Sequence, residues 1–168
     1  ITMTTTLPDS IVNHPGFMDG YRPNVAAIIL NCEGLILWCE RTNLPQVWQF
    51  PQGGIDEGES PEETLWREIS EELGLQTPRE VLRIENQLPK ALRYDFPIPI
   101  IELFLNKFGI SFRGQEQNFY LLRFTGDDSL ITLQPPDGSE REFSNYCWDG
   151  PSRVNTIAPF KLAITKQA

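Results

Sequence analysis

Residues 60–75 read SPEETLWREISEELGL, and no other stretch of this 168-residue chain constrains its own backbone so tightly. Ser60 offers a cap oxygen, Pro61 suits a first helical position that needs no N–H, and Glu63 completes a capping box. Leu65, Trp66, Ile69 and Leu73 recur at helical spacing and mark one apolar face. Gly74 stands where a left-handed residue ends a helix. The pattern predicts an amphipathic helix over 61–73, and that helix must lay its apolar stripe on another layer.

The other layer reads as a sheet. Residues 24–30 (NVAAIIL) and 35–39 (LILWC) are apolar runs split by Asn31-Cys32-Glu33-Gly34, a strand, a turn and a strand. Residues 48–51 form a short extended piece that ends at Pro51, which has no ladder donor to give. Further strand candidates are 80–85, 92–96, 118–124 and 129–133, with prolines 89, 97, 99, 135, 136 and 151 marking loops. Residues 157–166 read as an amphipathic C-terminal helix. Residues 1–19, rich in Thr, Pro, Asn and Gly without a period, read as an irregular tail, and 20–168 as one domain. Strands around one or two helices give α+β or an α/β/α sandwich with a mixed sheet.

Composition narrows the chemistry. Cys32, Cys39 and Cys147 form no C-x-x-C pair and leave one thiol over, against both a disulfide framework and a thiolate zinc site. The single histidine, His14, lies beside Pro15 and Gly16 in the irregular stretch, a poor place for a preorganised base. Carboxylates are left to do the work. With 14 basic and 23 acidic residues the net charge is −9, so the surface repels nucleic acid at a distance. A polyphosphate substrate would need metal ions or local arginines between it and the protein. No apolar run is long enough to cross a bilayer, which indicates a protein of the cytoplasm, or of an organelle matrix if a targeting segment has been removed.

On the predicted helix Glu68, Glu71 and Glu72 stand at i, i+3 and i+4 and share one arc. They lie in the C-terminal half, where the helix dipole disfavours carboxylates by a few tenths to about 1 kcal/mol each. Local stability alone does not select that arrangement. A solvated acidic face with Arg67 as counter-charge is the plain reading; a Mg²⁺ or Mn²⁺ site is the functional one, because hard divalent cations take oxygen ligands. Just before the helix, the glycines of Gln52-Gly53-Gly54 let the backbone approach a ligand closely.

Residues 53–75, GGIDEGESPEETLWREISEELGL, resemble the Nudix box, G-x5-E-x7-R-E-U-x-E-E-x-G-U, at Gly53, Glu59, Arg67, Glu68, Ile69, Glu71, Glu72, Gly74 and Leu75. Seven fixed positions arise by chance on the order of 10⁻⁶ for a chain this long. The resemblance implies an α/β/α sandwich that holds two or three Mg²⁺ ions, with Mn²⁺ as a substitute, against a diphosphate. It implies Glu68, Glu71, Glu72 and the Gly53 carbonyl as metal ligands, with Arg67, Glu59, Gly54 and Gly74 supporting loop and helix. A glutamate or the metal would activate the attacking water, and the motif leaves open which.

Outside the box, Gly20 to Val25 (GYRPNV), Trp48 to Gly54 (WQFPQGG) and Gly114 to Gln117 (GQEQ) resemble bacterial RNA pyrophosphohydrolases and plant-type asymmetric diadenosine tetraphosphate hydrolases. That resemblance implies a further metal ligand at Glu142, with Glu140 as the neighbouring alternative. It implies Arg22 and Arg41 near phosphates, Tyr94 near a base, Gln115 and Gln117 along the cleft, and Ala158, Phe160 and Lys161 at a second base. Three readings follow: pyrophosphate removal from 5′-triphosphorylated RNA, diadenosine tetraphosphate hydrolysis to ATP and AMP, and a non-catalytic subunit that binds RNA or nucleotides. The expected partner is an RNA 5′ end or a dinucleoside polyphosphate, with no membrane, and no feature points to a protein partner.

Overall fold

A computed structural model describes residues 6–156. In chain order its elements are α1 (Asp9–Val12), β1 (Phe17–Leu30), β2 (Ile36–Arg41), β3 (Leu44–Gln49), β4 (Gln52–Gly54), α2 (Pro61–Leu73), α3 (Pro78–Val81), β5 (Leu82–Gln87), β6 (Leu92–Asp95), α4 (Ile98–Phe108), β7 (Ser111–Phe124) and β8 (Phe143–Asp149). The two longest strands, β1 and β7, run parallel from Phe17↔Ser111 to Leu30↔Arg123, with one irregularity between Met18 and Tyr21. Every other pairing is antiparallel: β4 and β2 on β1, β3 and β8 on β2, β5 and β6 on β7. The sheet is therefore mixed.

Alternation along β1 sends its side chains to two cores. Val25, Ala27 and Ile29 join Leu37, Cys39, Leu65, Ile69 and Leu73 under α2. Ala26 joins Trp38, Phe50, Phe119, Ile101 and Leu105 under α4. Helices cover both faces, an α/β/α sandwich.

The predicted helix 61–73 is α2 from end to end. Ser60 Oγ accepts from the Glu63 N–H at 3.2 Å, and Gly74 takes the left-handed conformation at φ 72°. A side chain at Gly74 would also collide with Thr132 and Gln134. The reason is that 129–133 is not a strand. It opens as a 3-10 turn at Asp128–Leu130, and the Thr132 and Leu133 N–H groups then donate to the Leu73 carbonyl at 3.1 and 3.0 Å. Ile131 and Leu133 are buried, which produced the strand-like alternation, but this backbone satisfies a helix end instead of a ladder.

Four other expectations change. The ordered fold starts before residue 20: α1 buries Ile11 at 1 % exposure, and β1 begins at Phe17 because it pairs with the start of β7. Asp19 and Arg113 tie that end together at 2.9 Å. The expected strand 80–85 starts as the helical turn α3 and becomes β5 only at Leu82. Pro97 and Pro99 mark a helix start, not a loop, since proline costs little in a first turn, and α4 runs on to Gly109. Finally β8, whose residues FSNYCWD do not alternate between apolar and polar, pairs along β2 from Ile36↔Asp149 to Arg41↔Phe143. The predicted helix over 157–166 lies outside the described residues. Among those described, no helix is long and apolar enough to cross a membrane.

Candidate active site

Packing sorts the three glutamates of α2 by depth. Glu72 is 6 % exposed, while the Glu71 side chain is 42 % exposed and that of Glu68 lies between them at 16 %. Burial, then the charge and hydrogen bond of Glu68, then the charge of Glu142 push the Glu72 carboxyl well above the usual carboxylate range. The Gln52 N–H, 3.4 Å from Glu72 Oε2, opposes that shift. Burial also raises Glu68, against its hydrogen bond to Glu72 and the charge of Arg67.

Arg67 stands among the acids. Its Nη1 lies 2.9 Å from Glu68 Oε1 and 3.5 Å from Glu71 Oε2. Nε and Nη2 bond Glu59 at 2.9 Å each, and Nη2 reaches Asp56 at 3.2 Å and the Gly54 carbonyl at 3.4 Å. Glu59 also accepts from the Asp56 N–H and the Thr64 hydroxyl. Its carboxyl is lowered to about 2, chiefly by the Arg67 hydrogen bond. These contacts tie the loop before α2 to the helix.

Strand β4 separates two half-sites. A Cβ on Gly53 would overlap the Glu68 carboxyl group, so the backbone approaches α2 more closely than any side chain allows. A Cβ on Gly54 would overlap the Arg22 guanidinium on the opposite side. On that side the registers Arg22↔Gln115 and Tyr94↔Gln115 place three predicted residues on one face of the sheet. Burial raises the Tyr94 phenol, and the Arg22 and Arg41 guanidiniums pull it back, so both charges reach this ring. Arg41 sits 3.8 Å from Glu142, which it owes to the pairing of β8 on β2. Across the sheet Glu142 beside β8 is thus followed by Arg41 on β2, Arg22 on β1, Gln115 on β7 and Tyr94 on β6.

Gln117 is placed differently from expectation. It is 3 % exposed, and its amide group donates to Asn24 Oδ1 at 2.9 Å and Gln52 Oε1 at 2.6 Å. It knits β7, β1 and β4 together beneath the site and does not line the cleft, because both N–H groups are spent internally. Asn24, Gln52 and Asp56 are contributors that the sequence reading missed. Gln52 was accessible in principle, since it lies two residues before Gly54 and strand alternation puts both on the Arg22 side. Ala158, Phe160 and Lys161 lie outside the described residues.

The donors suit a divalent cation. Among the described residues, no three carboxylate, imidazole or thiol groups are already gathered around one point, since Arg67 stands between Glu68 and Glu71. Yet Glu72 is a buried acid with no cation among its described partners, and such a group is costly to ionise unless a positive charge joins it. The set is all oxygen, as Mg²⁺ requires.

The NUDIX domain model matches residues 20–167. The chain belongs to the Nudix family. Nudix hydrolases generally use a divalent metal ion, in keeping with the oxygen donors just described. The chain is 42 % identical to an RNA pyrophosphohydrolase of Photobacterium profundum over 89 % of its own length and 82 % of the relative's. Its identity to the RNA pyrophosphohydrolase of Rhizobium meliloti is 38 %, covering 84 % of this chain and 86 % of that one. Nudix hydrolase 26, chloroplastic, of Arabidopsis thaliana is 38 % identical over 89 % of this chain and 68 % of its own. Among solved structures, the E. coli dihydroneopterin triphosphate pyrophosphohydrolase superposes with a TM-score of 0.61 at 16 % identity, covering 88 % of this chain and 95 % of that one. That structure bears on the fold alone, and it agrees with the Nudix sandwich described above.

Proposed function

We propose that this Nudix hydrolase removes pyrophosphate from the 5′ end of triphosphorylated RNA. The similarity to two RNA pyrophosphohydrolases, at 38 % and 42 % identity over most of both chains, carries the choice of substrate. Water adds across the anhydride between the α- and β-phosphates, that P–O bond breaks, and a 5′-monophosphate and pyrophosphate leave.

Glu68, Glu71, Glu72, Glu142 and the Gly53 carbonyl would hold two or three Mg²⁺ ions, and Mn²⁺ would substitute. When bound, these ions supply the positive charge that neutralises phosphate oxygens and ionises water. Arg67 holds the loop against the helix through Glu59 and Asp56. Arg22 and Arg41 take the phosphates, offsetting the −9 net charge at the point where substrate enters. Among the described residues no carboxylate pairs with Arg22, which supports this role.

The test compares initial rates on a short 5′-triphosphorylated RNA and on diadenosine tetraphosphate, with Mg²⁺ and with Glu72→Gln as control. The RNA should react faster, and Glu72→Gln should lose about 100-fold or more on both. Faster cleavage of the dinucleotide would make this a nucleotide-clearing enzyme. RNA binding without Mg²⁺-dependent turnover would make it a binding subunit.

A further inference from the structure

Beside Arg22, on the face of the sheet away from α2, lies a cavity of about 370 Å³. Its size falls within the roughly 300–1,000 Å³ usual for small-molecule sites. Its walls are mostly rings: Phe96 just after β6, Phe104 and Phe108 from α4, and Phe112 from β7. Phe96 and Phe104 meet edge to face at 5.3 Å, and Phe104 lies 6.0 Å from Phe108, whose ring is 62 % exposed at the mouth. The polar lining comes from Arg22 and Gln115. Gln115 Oε1 is buried and has no hydrogen-bond partner among the described residues, an arrangement that costs free energy until a donor arrives.

We infer that this cavity is a purine subsite that seats the base of a substrate nucleotide whose phosphate lies on Arg22. The inference rests on reading the cleft as a nucleotide site and adds α4 as the element that selects the base. Flat aromatic walls with a single amide acceptor suit a planar heterocycle that carries an N–H donor. Glutamine is a matched partner for adenine, taking the N6–H on its oxygen while its N–H₂ donates to N7. An aliphatic ligand would leave Gln115 unsatisfied, and an anion alone would leave the rings unused. Arg22 touches β4 on one side and lines the cavity on the other, so a phosphate held there leads the attached base toward Phe104 and Phe108.

Calorimetric titration of the full chain tests this with AMP, UMP and ribose 5-phosphate, the last carrying the anion without a base. Stacking and one amide pair predict that AMP binds about tenfold tighter than ribose 5-phosphate and that UMP falls between them. Phe108→Ala and, separately, Gln115→Leu should bring the AMP to ribose 5-phosphate ratio toward one. Phe108 is surface-exposed, so its removal spares the fold, which a melting curve checks. Equal affinity of the wild type for AMP and ribose 5-phosphate, or an AMP advantage that survives both substitutions, overturns the subsite. A protein that turns over no RNA but loses its AMP advantage in Phe108→Ala keeps the subsite and drops the RNA reading alone.

Discussion

At the scale of single residues, Gly53 sets the spacing of the site. Its missing side chain lets β4 lie against Glu68, and an added methyl would need the space the carboxyl occupies. Gly53→Ala should therefore cost roughly 1–3 kcal/mol of stability, as overpacking does, and should lower turnover because Glu68 is displaced. Urea unfolding and initial rates would measure both, and an alanine variant unchanged in each would remove the close approach from the account. The sequence shows Gly53 as the first glycine of a motif, but the partner that forbids a side chain fifteen positions later appears only in three dimensions. The same holds for Gln117. The family resemblance implies a cleft residue, and only the register of three strands reveals that Asn24 and Gln52 consume its donors.

Among the elements, α2 and the loop before it are the part most legible in sequence. Cap, proline, apolar stripe and terminal glycine are local signals, and they agree with the helix from Pro61 to Leu73. The loop is held electrostatically through Glu59, whose carboxyl lies near 2 in the folded state against an ordinary value of 4.5. A group depressed on folding contributes stability above its ordinary value and loses it as pH falls through the folded one. The melting-temperature advantage of wild type over Glu59→Gln should be complete near about pH 6 and vanish toward about pH 2. An advantage that persists at the acid end would show that Glu59 acts by shape and not by charge. By contrast α4 and β8 were hidden. The first begins with two prolines that read as loop, and the second gains its strand conformation from pairing with β2 rather than from its own pattern. Yet β8 brings Glu142 beside Arg41, and α4 supplies two walls of the aromatic cavity.

Over the whole molecule, acidity, fold and metal binding are linked. Burial first, and then the neighbouring Glu68 and Glu142 charges, push the Glu72 carboxyl up. Mg²⁺ that binds the folded chain and not the unfolded one should stabilise it by about 2.7 kcal/mol at a concentration 100 times its Kd. Glu72→Gln should melt at or above the wild type without Mg²⁺, since it buries an amide in place of a charge, and should lose most of the increase that Mg²⁺ gives the wild type. Thermal melts with and without the ion would check this, and a full Mg²⁺ response in Glu72→Gln would remove Glu72 from the ligand set. The layered architecture was readable because helical and strand periods alternate along the chain. The order of strands was not, since the pairing of β1 with β7 joins segments about ninety residues apart.

The three residues of β4 are a partition wall, with the Glu68 carboxyl against Gly53 on one surface and the Arg22 guanidinium against Gly54 on the other. Substitutions at Phe104, Phe108 or Gln115, which line the cavity with Arg22, are therefore expected to leave the placement of Glu68 unchanged. The pair of glycines that divides the two sides answers to both, since a side chain on Gly53 would meet Glu68 and one on Gly54 would meet Arg22.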